Sequence, residues 1–401
     1  MMTKNAVEAQ KAAEPAATGT GSGTIELIYS FDRSQLPKQP KQDPSRKKPD
    51  NADDAVKKLC KGNEKFADFI AQCKGHDKPR PVEVPLALRE IGGIPKPSGF
   101  PAQLPFAAVL GCVDARAPVE LLFTQGFDDL YISRIAGNTL GPDCSGSLHY
   151  SLLSFAALKP QKPKGPTKPT PSVDLTKKPL RLIVALGHSD CGAVTAAVLT
   201  FAKLKEDLEE VTDPPKLFEL EELLDLEGDY LPDDSVTGLL TRIHHPAVAA
   251  ALDALPVGSL GTETGSTDLH IAALIDLAIY LNAAWSANQI VSLVQQYDYA
   301  DADVAVGVRY GVFDPRDCRV RAGSENYGDT KDASDSTDGL LKSFGVAPGA
   351  GQPGVSVACL LPPPADLAGL RKLATEIADK IKARGKTKEG LRDLAKHFNL
   401  Q

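Results

Sequence analysis

The sequence predicts an α/β fold, a central parallel β-sheet with flanking helices. Short, mainly apolar runs, such as 106–111 and 180–187, alternate with segments whose apolar residues recur at helical spacing. Such runs are typical of strands buried on both faces, as in parallel sheets with crossover helices. A polar motif rich in metal-binding residue types follows each of these two runs directly.

The remaining elements follow from the same periodicities. A helix is predicted to begin near Asp53. A second helix is predicted over 118–125, because Pro118 would lie in its first turn, where proline is favoured. The long apolar stretch 269–287 is interrupted by His270, Asp276 and Asn282, which indicates a core helix and not a membrane span. Strands are predicted over 106–111, 129–137 and 180–187, helices over 146–158, 191–204, 268–286 and 364–383, and a hairpin turning at 314–316.

Composition divides the chain into a main domain and two extensions. Residues 1–51 are rich in Ala, Gly, Pro, Lys and Gln, which predicts a disordered, arm-like segment. The main domain is expected over 52–322, with insertions at 159–179, rich in Lys and Pro, and at 204–267, which includes an acidic stretch. Residues 323–401 are expected to form a C-terminal extension made of a linker and a helix.

Charge and cysteine usage limit the class of protein. The net charge of −7 argues against a nucleic-acid partner, because phosphate binding needs a clustered basic face. The N-terminal segment lacks the apolar core of a signal peptide, so a cytoplasmic protein without a membrane span is expected. The seven cysteines show no regular spacing, which makes a disulfide framework unexpected. Ordinary thiols are therefore predicted at Cys60, Cys73, Cys144, Cys318 and Cys359.

Two polar motifs carry the candidate chemistry. In an extended chain alternate side chains share a face, so Cys112, Asp114 and Arg116 are expected to project together beyond the first strand. His188 and Cys191 follow the third strand at a spacing that can bring both onto one ion. Ligand sites of open α/β sheets lie at these carboxyl ends.

Two cysteines and one histidine form a donor set that suits zinc. Structural zinc sites usually have four protein ligands, whereas catalytic sites keep the fourth tetrahedral position for water or substrate. A set of Cys112, His188 and Cys191 therefore favours a catalytic site, and Asp114 is the one nearby group that could close it.

The chain resembles the β-class carbonic anhydrases through LGCVDARAPVELLFTQGFDDLYISRIAGN (110–138) and LIVALGHSDCGAV (182–194). The resemblance covers roughly 52–158, 180–203 and 268–322. It implies one Zn²⁺ per chain, held by the two cysteines and the histidine, and a homodimer or larger homo-oligomer with the active site near the interface. It also implies a catalytic Asp114–Arg116 dyad and a substrate pocket shaped by Gly137, Asn138 and Gly192.

The resemblance also implies a reaction, the reversible hydration of carbon dioxide to bicarbonate and a proton. Zinc acidifies its bound water, an effect established for carbonic anhydrases in general, and the resulting hydroxide attacks CO₂. Asp114 is expected to accept a hydrogen bond from that hydroxide, and Arg116 to pair with Asp114. The sequence leaves open whether Asp114 rests on the metal or on Arg116.

Two other functions remain open at this point. A hydrolase of carbonyl sulfide or carbon disulfide would need the same metal chemistry and a differently gated pocket, which the insertions could provide. An assembly or scaffold protein could retain the domain and use its arm, insertions or tail to bind a protein partner.

Overall fold

The structure is a computed structural model that describes residues 47–75, 84, 103–159, 177–199, 240, 242–256, 259–260, 266–323 and 359–397. All the elements below lie within Lys48–Gln401, which forms one compact unit. The predictions for the acidic stretch, the linker and most of the N-terminal arm and of the Lys/Pro-rich loop lie outside the described residues.

A five-stranded sheet forms the centre of this unit, with strand order β2-β1-β3-β4-β5. The first four strands run parallel, and β5 pairs antiparallel to β4. The predicted parallel sheet and its closing hairpin are therefore confirmed, and the hairpin makes the sheet mixed. The strands are β1 (Ala107–Gly111), β2 (Leu130–Arg134), β3 (Leu182–His188), β4 (Gly307–Asp314) and β5 (Arg319–Arg321).

Helices cover both faces of the sheet, as the uniformly buried strands β1 and β3 require. One face carries α1 (Ala52–Gly75) and α2 (Val119–Leu122), and the other carries a larger group. Side chains of β3 alternate between the two cores: Ile183 and Ala185 face the larger group, while Val184 faces α1. The larger group consists of α3 (Pro142–Phe155), α4 (192–199), α5 (Ala249–Ala254), α6 (Ser266–Val294) and α7 (Leu367–Gly385).

The long apolar helix α6 is a core helix, as predicted. It is long and apolar enough to cross a membrane by length and composition alone, but 78% of its most apolar window is buried inside the fold. Its buried side chains, among them Leu277, Tyr280 and Ala284, lie in the core shared with β3 and β4. A helix that is apolar all round is expected in such a position.

The C-terminal extension packs onto the main domain. Helix α7 contacts α5 and α6, and Leu361 pairs with Tyr310 beside β4. A further helix, α8 (Lys388–His397), follows α7 and was not predicted. The boundary at 323 stays a prediction about domain organisation.

One expectation about cysteines is wrong. Cys60 on α1 and Cys359, which precedes α7, form a disulfide across a sequence separation of 299. Spacing along the chain gave no sign of this bond, because only the fold brings the two residues together. Cys73, Cys144 and Cys318 form no disulfide. The expectation of a reducing, cytoplasmic compartment rests on composition and stays a prediction.

Candidate metal centre

The sheet brings the two polar motifs to one place. Strands β1 and β3 are parallel neighbours, and Gly111 at the end of β1 is in register with Leu186 of β3. The chain therefore passes Cys112 directly beside the last residues of β3, which ends at His188. Cys191 follows in the turn that leads into α4.

The three predicted donor side chains lie together. The donor atoms of Cys112, His188 and Cys191 all fall within 4.8 Å of one another, and each of these residues is buried. The two Sγ atoms are 4.0 Å apart. Two thiolates bound tetrahedrally at about 2.3 Å from one zinc would be roughly 3.8 Å apart, so the cysteine spacing fits this ion.

His188 presents one ring nitrogen with no partner among the described residues. Its Nδ1 lies 3.0 Å from the Ser189 carbonyl oxygen, an acceptor, so Nδ1 carries the proton. Nε2 then holds a lone pair, is fully buried and makes no hydrogen bond to the described part of the chain. A buried acceptor without a donor is costly, and a metal ion would satisfy it.

Electrostatic coupling fits the same donor set. The hydrogen bond shared with Cys191 lowers the pKa of Cys112 to about 4, assisted by His188 and opposed by burial. The same hydrogen bond, together with burial, raises the pKa of Cys191 above its usual range. Burial opposes protonation of His188, but its interactions with Cys112 raise the pKa on balance.

Asp114 is paired with Arg116. Arg116 Nε lies 3.0 Å from Asp114 Oδ1, and Nη2 lies 2.8 Å from Oδ2. This bidentate bond lowers the pKa of Asp114 and raises that of Arg116. Asp114 Oδ2 is also 3.8 Å from His188 Nε2, beyond hydrogen-bond distance but adjacent to the donor cluster. The sequence left open whether Asp114 rests on the metal or on Arg116, and in this structure it is paired with Arg116.

Gly137 and Asn138 lie against the cluster. The Gly137 backbone N–H donates to Cys112 Sγ over 3.4 Å, which stabilises negative charge on that sulfur. Gly137 has φ +66°, a conformation that favours glycine, and a Cβ there would meet Ile243 Cδ1 at 2.6 Å, so the Ile243 side chain would have to shift. Asn138 also has positive φ and is buried, and its Nδ2 has no partner among the described residues.

A Cβ at Gly192 would meet nothing within 4 Å, so the available space does not require glycine there. The expected role of Gly192 in shaping a substrate pocket stays a prediction. The left-handed residue of this turn is Asp190, with φ 57°.

Three contributors to the site were missed by sequence reasoning. Arg134 Nε donates to the Cys112 carbonyl oxygen at 2.7 Å, and its Nη2 donates to the Asp114 carbonyl. Asn282 Nδ2 donates to the Gly137 carbonyl at 2.7 Å from helix α6. Asp190 contacts Arg116. Arg134 and Asp190 stand inside the motifs, but their partners are set by the sheet, which no local pattern encodes.

Known proteins resemble this chain over limited segments. The family model described as carbonic anhydrase matches residues 107–158, which include Cys112, Asp114 and Arg116 but end before His188. A carbonic anhydrase of Mycolicibacterium smegmatis is 36% identical over 97 residues, 24% of this chain and 36% of that protein. Carbonic anhydrase 2 of Mycobacterium tuberculosis is 32% identical over 96 residues, 24% of this chain and 35% of that protein.

The chain thus matches about a third of the length of these curated relatives. Among solved structures, a β-carbonic anhydrase from Coccomyxa aligns with a TM-score of 0.34 and 17% identity, over 72% of this chain and 97% of that one. The family model and the curated relatives confirm, over the segments they cover, the resemblance to carbonic anhydrases that the sequence predicts.

Proposed function

We propose that this protein is a zinc-dependent carbonic anhydrase that hydrates carbon dioxide reversibly to bicarbonate and a proton. One observation carries the proposal: the buried donor cluster of Cys112, His188 and Cys191 lies directly beside the Asp114–Arg116 pair. The first motif falls within the matched family segment, and the fold supplies His188 and Cys191 from the neighbouring strand.

The donor set fits zinc held by three protein ligands. Cys112 and Cys191 would bind as thiolates and His188 through Nε2, which leaves a fourth tetrahedral position open. When bound there, zinc would lower the pKa of a water ligand and make a nucleophile available near neutral pH.

The chain's own residues would orient that nucleophile. Asp114 is ionised because Arg116 holds its pKa low, so its carboxylate is an acceptor only. Its Oδ2, the oxygen 3.8 Å from His188 Nε2, is placed to accept a hydrogen bond from the attacking hydroxyl and to fix its orientation. Arg116 holds both carboxylate oxygens, which keeps Asp114 from taking the open position itself.

A stopped-flow CO₂ hydration assay tests the proposal on purified, zinc-loaded protein. We expect Asp114→Ala to keep about one zinc per chain and to lower kcat/KM roughly 100-fold or more, because only the orienting acceptor is lost. The matched control is Asp253→Ala, since Asp253 is an exposed carboxylate on α5. Wild-type protein with bound zinc and no rate above background would overturn the proposal.

The same preparations distinguish the alternative substrates. Release of hydrogen sulfide from carbonyl sulfide or carbon disulfide, at a kcat/KM above that for CO₂, would assign the site to a hydrolase. Loss of zinc from Asp114→Ala would instead make Asp114 a metal ligand.

We also propose that the chain forms a homodimer. Tyr150 and Leu153 of α3 are 59% and 57% exposed, and α3 packs on β2, an edge strand of the described sheet. A second copy would cover these apolar side chains and the free strand edge together. Sedimentation velocity at micromolar concentration should give a species of twice the chain mass, and a monomer throughout would refute this.

A further inference from the structure

Asp190 occupies a distinctive place between two of the candidate zinc ligands. It lies in the turn that joins His188 to Cys191, and its backbone is left-handed, with φ 57°. Non-glycine residues rarely adopt this conformation, although Asp and Asn tolerate it better than most. The turn directs both the carboxylate and the carbonyl of Asp190 toward Arg116.

Arg116 is held from two sides. Its inner side bonds the carboxylate of Asp114 through Nε and Nη2. On its outer side, Nη1 donates to Asp190 Oδ2 at 2.8 Å and Nη2 donates to the Asp190 carbonyl oxygen at 2.9 Å. The guanidinium therefore bridges the chain after β1 and the chain after β3, and a planar fork with partners on both sides has one favoured orientation.

We propose that Asp190 is a positioning residue, which holds Arg116 so that Asp114 stays paired with it and leaves the fourth metal position open. This inference rests on the proposed function. The side chain of Asp190 is 81% exposed and that of Arg116 is 49% exposed, so their ion pair adds little to folding stability. Its effect is on orientation, because without the Asp190 carboxylate the outer edge of the guanidinium would keep only the contact of Nη2 with the backbone carbonyl.

The contact between Asp190 and Arg116 restricts how easily the Asp114 carboxylate can rotate. Asp114 Oδ2 already lies 3.8 Å from His188 Nε2, so a small rotation would bring it to an ion bound by that nitrogen. Loosening Arg116 makes this rotation easier. Removing the Asp190 carboxylate should therefore raise the share of molecules in which Asp114 occupies the fourth position.

The test uses Asp190→Asn and Asp190→Gly in full-length protein loaded with cobalt(II) and, separately, with zinc. Asn keeps the shape and tolerates the left-handed backbone, and Gly keeps the backbone and its carbonyl acceptor. Both variants lose the charged outer contact. Arg116→Ala provides the reference for complete release of Asp114, and Asp253→Asn is the exposed-carboxylate control.

We expect both Asp190 variants to bind one equivalent of cobalt and to shift its visible spectrum in the direction of Arg116→Ala. Their zinc forms should lose about two- to fivefold in kcat/KM, the factor that corresponds to the free energy of one exposed ion pair. An Asp190→Asn spectrum identical to wild type, while Arg116→Ala shifts, would overturn the proposal. A shift in Asp190→Gly alone, or loss of metal from Asp190→Asn, would also overturn it, since the role would then be to shape the ligand turn.

The two proposals fail in different ways. If wild type binds cobalt but hydrates no CO₂, and Asp190→Asn still shifts the cobalt spectrum, the proposed reaction is wrong and the positioning role of Asp190 stands. If wild type hydrates CO₂ and both Asp190 variants keep its spectrum and rate, the proposed reaction stands and the positioning role of Asp190 is wrong.

Discussion

Gly62 provides a quantitative test of how α1 is docked. A Cβ built at Gly62 would lie 1.8 Å from the Phe123 carbonyl oxygen and 2.7 Å from its carbonyl carbon. Backbone cannot rotate away as a side chain can, so Gly62→Ala must separate α1 from the chain that follows α2. The Thr124 hydroxyl, which donates to the Gly62 carbonyl at 2.7 Å, would lose its partner as well.

The expected change in the free energy of unfolding combines one stabilising effect and two destabilising ones. Alanine favours the helix by about 1 kcal/mol over glycine. Overpacking costs about 3 kcal/mol at the upper end of its usual range, which a backbone clash justifies. A lost hydrogen bond costs about 1 kcal/mol. We therefore expect Gly62→Ala to lower the free energy of unfolding by about 3 kcal/mol.

Gly146 is the matched control, because it also lies inside a helix, α3, but a Cβ there would meet nothing within 4 Å. Gly146→Ala should raise the free energy of unfolding by about 0.5–1 kcal/mol through helix propensity alone. Urea denaturation followed by circular dichroism gives both values, if the m-value stays that of wild type. Stabilisation by both substitutions, or no change in Gly62→Ala, would refute the close approach of α1 to Phe123.

Two further predictions concern the cysteines. Zinc binding to metal-free protein at pH 8 should release at least one proton per chain, because burial and the hydrogen bond shared with Cys112 raise the pKa of Cys191, which must lose its proton to bind as a thiolate. A pH indicator in weak buffer measures this release, and zinc uptake without proton release would contradict the prediction. Cys60→Ser should lower the free energy of unfolding by about 2–5 kcal/mol, because the bond to Cys359 closes a loop with a sequence separation of 299. Cys73→Ser, which changes an exposed free thiol, should stay within about 0.5 kcal/mol of wild type in the same urea titration.

Local pattern predicted the elements that carry the site. The mainly apolar runs gave β1 and β3 almost to their bounds, because a strand covered on both faces has no polar position to obscure it. Helix α2 proved shorter than the predicted 118–125, and α8 was missed. A short amphipathic helix at the end of a chain depends on the surface it packs against, which the sequence does not display.

The sequence by itself determined which chemical groups this protein can offer and after which strands they stand. Cys112, Asp114 and Arg116 follow one buried run, and His188 and Cys191 follow another. The tertiary structure alone decided that those strands are neighbours, that the Asp114–Arg116 pair lies beside the donor cluster, and that Asp190 contacts Arg116 from the other side. The reason is physical: periodicity reports interactions over a few residues, whereas contacts between residues 74 apart exist only once strand order and register are fixed.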